Sequence, residues 1–173
     1  MSHPALQVNH SEPYATISPS RPELSQKGRT VLITGGNSGI GFAIARSFTK
    51  ATAKQVIIVG RRADRTDAAV EDLSREATAL KSPTKIIGRV CDISNLKSVE
   101  ELWQYFTNEG IFIDVLVLNA AAGGAVAPIL QSGRDAAWAD FETNVRSTLD
   151  LTERFYKQTD TNASQKKVSE QKE

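Results

Sequence analysis

The stretch V-L-I-T-G-G-N-S-G-I-G, residues 31–41, constrains this chain more than anything else in it. A short apolar run enters a glycine-rich turn and leaves as the start of a periodic helix. Three of its four glycines answer three steric demands. Gly35 takes the tight turn, Gly39 lets backbone approach a diphosphate, and Gly41 lets helix pack closely on strand. A helix that begins near Ile40 aims unpaired N–H groups and the positive end of its dipole at the same point. Thr34, Asn37 and Ser38 can add side-chain hydrogen bonds. The bland alternative is a tight strand-to-helix turn with no ligand. What decides between them is whether the turn sits inside a larger strand-and-helix pattern.

It does. Apolar runs at 30–34, 55–59, 85–90 and 114–118 start 25–30 residues apart, the length of one strand-plus-helix unit. The stretches between them have helical spacing: Ile40, Ala43, Ile44 and Phe48; Val70, Leu73, Ala77 and Leu80; Val99, Leu102, Trp103 and Phe106. A fourth helix follows, with Trp138, Phe141, Val145, Leu149 and Phe155 on its expected apolar face. Asp64, Ser94 and Asp135 are the expected N-caps of the second, third and fourth helices. The strands are apolar at successive positions, so both faces are expected to be covered. The fold class predicted is α/β, a three-layer arrangement around a parallel sheet of about four strands.

The flanks differ in texture. Residues 1–27 hold Pro4, Pro13, Pro19 and Pro22 among polar residues without periodicity, and are expected to be a disordered leader, pinned at most in part. The domain is expected over 28–158. Residues 159–173 contain only Ala163 and Val168 as apolar members and are expected to be a polar tail.

Composition removes whole classes of function. With 40% hydrophobic and 24% charged residues the chain is neither fibrous nor wholly disordered, and at 173 residues it has room for one domain. The formal net charge of +1 offers no bulk field for nucleic acid or anionic lipid, so an anion must be held locally. A single cysteine, Cys91, excludes an internal disulfide, and with His3 and His10 in the leader no metal site is expected. No apolar run is long enough to span a membrane. A cytoplasmic protein is expected.

The second strand runs V-I-I-V-G-R-R, 56–62, and has no acid at its end, where an NAD ribose would need one. Gly60 leaves room, while Arg61 and Arg62 offer forked donors for a ribose 2′-phosphate. Cations at the start of a helix oppose its dipole, which argues for an anion nearby and against two merely solvated arginines. The expectation is NADP(H) in preference to NAD(H). After the third strand, Asp92 can accept from an adenine amino group or serve in capping alone. Cys91 reads as a small packing residue. After the fourth strand, Asn119 can tie strand ends together, and Ala120 to Ala122 leave space for a ribose or nicotinamide; the alternative is a plain loop. Asn144, three residues after Phe141, reads as a buried structural amide holding a backbone group or a water.

In order and spacing, T-G-G-N-S-G-I-G, the R-R pair, C-D-I-S, L-N-A-A and F-E-T-N-V resemble the short-chain dehydrogenase/reductase family, from Lys27 to about Gln158. The leader segment R-P-E-L-S-Q-K-G resembles fungal biosynthetic reductases. The resemblance implies a Rossmann-like doubly wound sheet with strand order 3-2-1-4, cut short after four strands. It implies a diphosphate loop at Gly35, Asn37, Ser38, Gly39, Ile40 and Gly41, and a coenzyme selector at Arg61 and Arg62. It implies an adenine side at Asp92 and Ile93, and a ribose side at Asn119, Ala120 and Ala121. Asn144 would match the asparagine that holds a water in the family's proton relay. The chemistry implied is hydride transfer to or from a small ketone or secondary alcohol.

The sequence also departs from that family. Members carry a Tyr-x-x-x-Lys helix, whereas four residues after Tyr14, Tyr105 and Tyr156 stand Ser18, Glu109 and Asp160. Tyr156 and Lys157 are neighbours, but adjacent helical residues point about 100° apart. Ala121 stands where glycine is usual. Three readings follow: the coenzyme half of an oxidoreductase, a catalytically silent, truncated nucleotide-binding module, or a clipped gene product. In each case the fourth strand would be an open apolar edge, and that edge or the fourth helix is a candidate surface for homo- or hetero-oligomers.

Overall fold

Strand residues alternate between the two faces of a sheet, so each apolar run must feed two separate cores. In the computed structural model, which describes residues 14–123 and 128–158, the runs become β1 (Thr30–Thr34), β2 (Gln55–Gly60), β3 (Lys85–Val90) and β4 (Val115–Val117). They pair in parallel in the order β3-β2-β1-β4. Leu32 lies in register with Ile57 on one side and Leu116 on the other. The fold is the Rossmann-like α/β arrangement, with β4 an outer strand among the described residues.

On one face Leu32, Ile57 and Val59 pack with Val99, Leu102, Trp103 and Phe106 of α3 (Leu96–Asn108). On the other, Val31, Ile33, Val56 and Ile58 meet Ala45 of α1 (Gly39–Lys50) and Ala69 and Leu73 of α2 (Ala63–Ala79). Residues 129–157 form α4 (Ile129–Ser132), α5 (Arg134–Phe141), a π-helical turn (Glu142–Arg146) and α6 (Ser147–Lys157). Leu151 carries α6 into the α3 core. Gln158 then fastens the end of α6 to the sheet, accepting from the Ile113 N–H at 3.0 Å and donating to its carbonyl at 2.6 Å.

Several expectations need correction. The second strand extends one residue further, through Gly60, and the fourth is shorter than 114–118. The side of α1 against the sheet is Gly41, Ala45 and Thr49; Ile40 and Ala43 are exposed, because the helix approaches too closely for large residues. Leu80 lies at the C-terminal cap of α2 and is half-exposed. None of the three expected N-caps holds. Arg62 and Gly133 take those positions in α2 and α5, while Asn95 caps α3 by accepting from the N–H groups of Lys97 and Ser98 at 3.0 and 3.2 Å.

The largest correction concerns the fourth helix. Trp138, Phe141, Val145 and Leu149 are exposed, and the inward positions are Ser147, Leu151 and the partly buried Phe155. Trp138 and Phe141 precede the π turn, in a helix with no buried residue, so the spacing finds an apolar stripe but not the side that faces the core.

Residues 14–27 hold two 3₁₀ turns, Ala15–Ile17 and Pro22–Leu24, and are fastened where the Gln26 N–H donates to the Ala51 carbonyl at 2.7 Å. Residues 1–13 of the expected leader and the tail at 159–173 lie outside the described residues. Among the described residues no helix is long and apolar enough to cross a membrane.

Candidate functional site

In a parallel sheet every strand ends on the same side, and the turns that follow converge there. Here the turns after β1, β2, β3 and β4 enclose a cleft of about 420 Å³. Every coenzyme-side residue named from the sequence lines it except Thr34 and Gly41.

The first turn is built by sterics. Gly35 and Gly39 have φ of +66° and +53°, in the left-handed region that side chains disfavour. A Cβ on Gly41 would collide with the Gly35 carbonyl oxygen, so helix and turn can approach this closely only with glycine. Around Gly39 a Cβ would meet nothing within 4 Å, so the space over the loop is open. Ser38 is the N-cap of α1 but makes no side-chain capping bond. The first bond into the helix runs from the Phe42 N–H to the Ser38 carbonyl at 3.2 Å, so the N–H groups of Gly39, Ile40 and Gly41 have no helical acceptor. Together they form a neutral cradle of donors at the positive end of a helix dipole, which suits a phosphate.

Thr34 does not face that cradle. Its hydroxyl is buried, accepts from the Asn119 and Ala120 N–H groups at 2.9 and 3.0 Å, and donates to the Val117 carbonyl at 3.3 Å. The Asn119 amide donates to the Thr34 carbonyl at 3.0 Å, which makes Asn119 the tie between strand ends. Asn37 is also committed, donating to the Thr66 hydroxyl at 3.3 Å. The Thr34 hydroxyl therefore offers no free donor, and Asn37 has one of its two amide N–H groups spent on Thr66.

Arg61 and Arg62 are exposed at its second turn, and neither guanidinium has an ion pair or hydrogen bond among the described residues. Asp92 accepts from both the N–H and the hydroxyl of Ser94, at 3.0 and 2.7 Å, through Oδ1. It thereby orders its turn without capping α3, and Oδ2 has no partner among the described residues. Ile93 is buried beside it. Cys91 is buried, and desolvation pushes its thiol above the ordinary range; a hydrogen bond with Ser98 opposes this, and the charges of Asp92 and Glu101 add to it. That environment suits the packing role expected of it.

Asn144 is exposed, contrary to the buried amide expected, because it sits in the π turn. It does hold a backbone group. Its Oδ1 accepts from the Ala122 N–H at 2.9 Å and its Nδ2 donates to the Ala122 carbonyl at 2.8 Å, clasping the loop after β4 from both sides. Tyr156 points into solvent and Lys157 pairs with Glu153, so these neighbours form no functional pair. Val59, Cys91 and Thr143 also line the cleft, although nothing in the sequence marks them as site residues at first sight, and Ala122 lines it as expected. Val59 and Cys91 are legible as strand-end residues; Thr143 depends on the π turn, which leaves no sequence signal.

The family model described as short chain dehydrogenase matches residues 29–167, most of the chain. The chain belongs to the short chain dehydrogenase family. This short chain dehydrogenase is 36% identical over 137 residues to Short chain dehydrogenase pigC of Monascus ruber, an alignment covering 79% of the chain and 44% of that relative. It is 30% identical over 125 residues to the NADP-dependent 3-hydroxy acid dehydrogenase of Schizosaccharomyces pombe, covering 72% of the chain and 46% of that protein. Among solved structures it superposes on L-sorbose reductase from Gluconobacter frateurii, complexed with NADPH and L-sorbose. The TM-score is 0.65 and the identity 26%, over 76% of this chain and 47% of that one. The chain thus spans less than half the length of each of these three proteins.

Proposed function

We propose that this short chain dehydrogenase binds NADP(H) in the cleft at the carboxyl ends of its strands, as the coenzyme-binding part of a reductase acting on a small ketone or secondary alcohol. The observation that carries this reading is the pairing of two unlike anion sites. One is the cradle of backbone donors at Gly39, Ile40 and Gly41; the other is the guanidinium pair at Arg61 and Arg62, unpaired among the described residues. A dinucleotide with a 2′-phosphate presents one anion to each. Asp92 Oδ2 supplies an acceptor suited to an adenine amino group, with Ile93 against it. Asn119, Ala120 and Ala121 leave the floor low on the ribose side. The relatives point the same way, since one is NADP-dependent and one was solved with NADPH.

The coenzyme would supply a hydride, and reduction of a ketone then needs a proton for the forming alkoxide. By the family resemblance Asn144 would hold a water in that relay; its amide is bonded to the backbone of Ala122, which lines the cleft. No tyrosine in the 173 residues has a lysine four positions later, so the proton donor familiar in the family is not among them. That observation favours a second reading of the chain alone: a nucleotide-binding module that binds without turnover. The exposed Trp138, Phe141, Val145 and Leu149 of the fourth helix provide the surface for a partner chain in this reading. A cytoplasmic location belongs with it.

Titration of NADPH and NADH into the purified protein, followed by a carbonyl panel with NADPH, tests both. Saturable NADPH binding with substrate-dependent oxidation supports the reductase, and binding without oxidation supports the module. No binding of either coenzyme contradicts both.

A further inference from the structure

We infer that Thr66 and Asn37 are a positioning pair that locks the arginine turn to the glycine loop, so that 2′-phosphate and diphosphate are gripped as one unit. This rests on the NADP(H) reading above and adds to it a determinant of coenzyme choice that does not itself carry charge.

Thr66 lies near the start of α2 and is almost fully buried. Its hydroxyl donates to the Arg62 carbonyl at 2.8 Å, beside the Thr66 N–H that donates to the same carbonyl at 3.0 Å, so a second bond reinforces the N-cap of α2. With its proton spent there, the oxygen still has lone pairs, and Asn37 Nδ2 donates to it at 3.3 Å. Asn37 belongs to the glycine loop, 29 residues earlier in the chain. One hydroxyl therefore bridges the two arms of the cleft, touching the backbone of the arginine turn and the side chain of the loop.

The sheet beneath is cleared for this contact. A Cβ on Gly60, at the end of β2, would collide with the Asn37 amide. A Cβ on Gly88 in β3 would come within 3.0 Å of Thr66 Cγ2 and 2.7 Å of Val70 Cγ2. Glycines on two neighbouring strands thus admit the two partners of one hydrogen bond. The rest of β2 is filled by Val56, Ile57, Ile58 and Val59, so the space at Gly60 is a local feature of the strand end.

The consequence is selective. NADPH engages both arms through one ribose, and its affinity depends on their separation being fixed before it arrives. NADH lacks the 2′-phosphate and so makes no use of the arginine arm. Loosening the bridge should therefore harm NADPH more than NADH without touching either arginine.

The test measures dissociation constants of NADPH and NADH by calorimetry for the wild-type chain, T66V, T66S and N37A, with a thermal melt of each. In T66V the hydroxyl is lost at nearly constant volume. The Kd for NADPH is expected to rise roughly five-fold, the effect of one hydrogen bond, and that for NADH by less than about two-fold. T66S keeps the hydroxyl and is expected to restore the wild-type ratio of the two constants. N37A, which removes the other partner, gives the same lowered preference for NADPH and keeps the test decisive if T66V fails to fold. Equal losses for both coenzymes, or an unchanged ratio in N37A, overturn the pairing while leaving NADP(H) binding intact. A wild-type chain that binds neither coenzyme overturns the underlying reading as well.

Discussion

Asn119 grips Thr34 twice, its N–H donating to the Thr34 hydroxyl at 2.9 Å and its side-chain amide donating to the Thr34 carbonyl at 3.0 Å. The contact joins the ends of β1 and β4, and it fixes the floor of the cleft. T34V keeps the shape but leaves the N–H groups of Asn119 and Ala120 without their acceptor. The expected loss is about 1–3 kcal/mol in denaturant unfolding, with T34S close to wild type. A T34V chain as stable as wild type would show that water replaces the hydroxyl without cost.

The glycine loop makes a sharper prediction. Gly39 has open space above it, so G39D does not clash; it places a carboxylate where an anion is expected, at a positive φ that costs about 1 kcal/mol. Binding of NADPH should fall below detection, while the melting temperature drops by only a few degrees. A chain that still binds NADPH would rule out the cradle as the phosphate site.

Arg61 and Arg62 are expected to act on NADPH in particular. In the double variant R61A/R62A the Kd for NADPH should rise about ten-fold or more, as for loss of a charge-assisted hydrogen bond, with NADH changed by less than about two-fold. Raising the salt concentration should weaken NADPH binding in the wild type more than in the variant, since exposed charges are screened. Equal losses for the two coenzymes would contradict the selector.

The two leucines of α6 test the orientation of the fourth helix. Leu151 is fully buried in the α3 core and Leu149 is 67% exposed. L151A should cost about 2–5 kcal/mol, as large-to-small changes in a core do. L149A should stay within about 0.5 kcal/mol of wild type in the monomer. If Leu149 proved the costly one, the apolar face expected from helical spacing would be the inward one after all.

Cys91 has its thiol pushed up by burial, so the folded chain should resist alkylation at mildly alkaline pH and react only when unfolded. The folded state keeps the proton that the unfolded chain would lose first. The contribution to stability is therefore present below the ordinary thiol range and declines as pH rises above it. Mass spectrometry after iodoacetamide treatment, with and without denaturant, checks the first part. Rapid labelling of the native chain would refute it.

Much of this is legible in the sequence because the deciding forces are local. The four strands follow from apolar runs of fixed length, and the loop at Gly35, Gly39 and Gly41 follows from sterics that only glycine satisfies. What the sequence hides are relationships across the chain. Thr34 reads as a phosphate ligand because it adjoins the loop, but its hydroxyl is taken by residues 85 and 86 positions later. Asn37 reads as free for the same reason, and Thr66 draws no notice as one threonine on an amphipathic helix. The caps mislead because aspartate and serine are favoured on average, while Asn95 wins by reaching two N–H groups at once. Helical spacing buries Asn144, and the π turn that exposes it has no compositional mark.

The most direct test of the central claim is calorimetric titration of NADPH into the soluble, folded chain. One saturable site per chain is predicted, tighter for NADPH than for NADH. A folded sample that gives no binding heat with either coenzyme at millimolar concentration would contradict it.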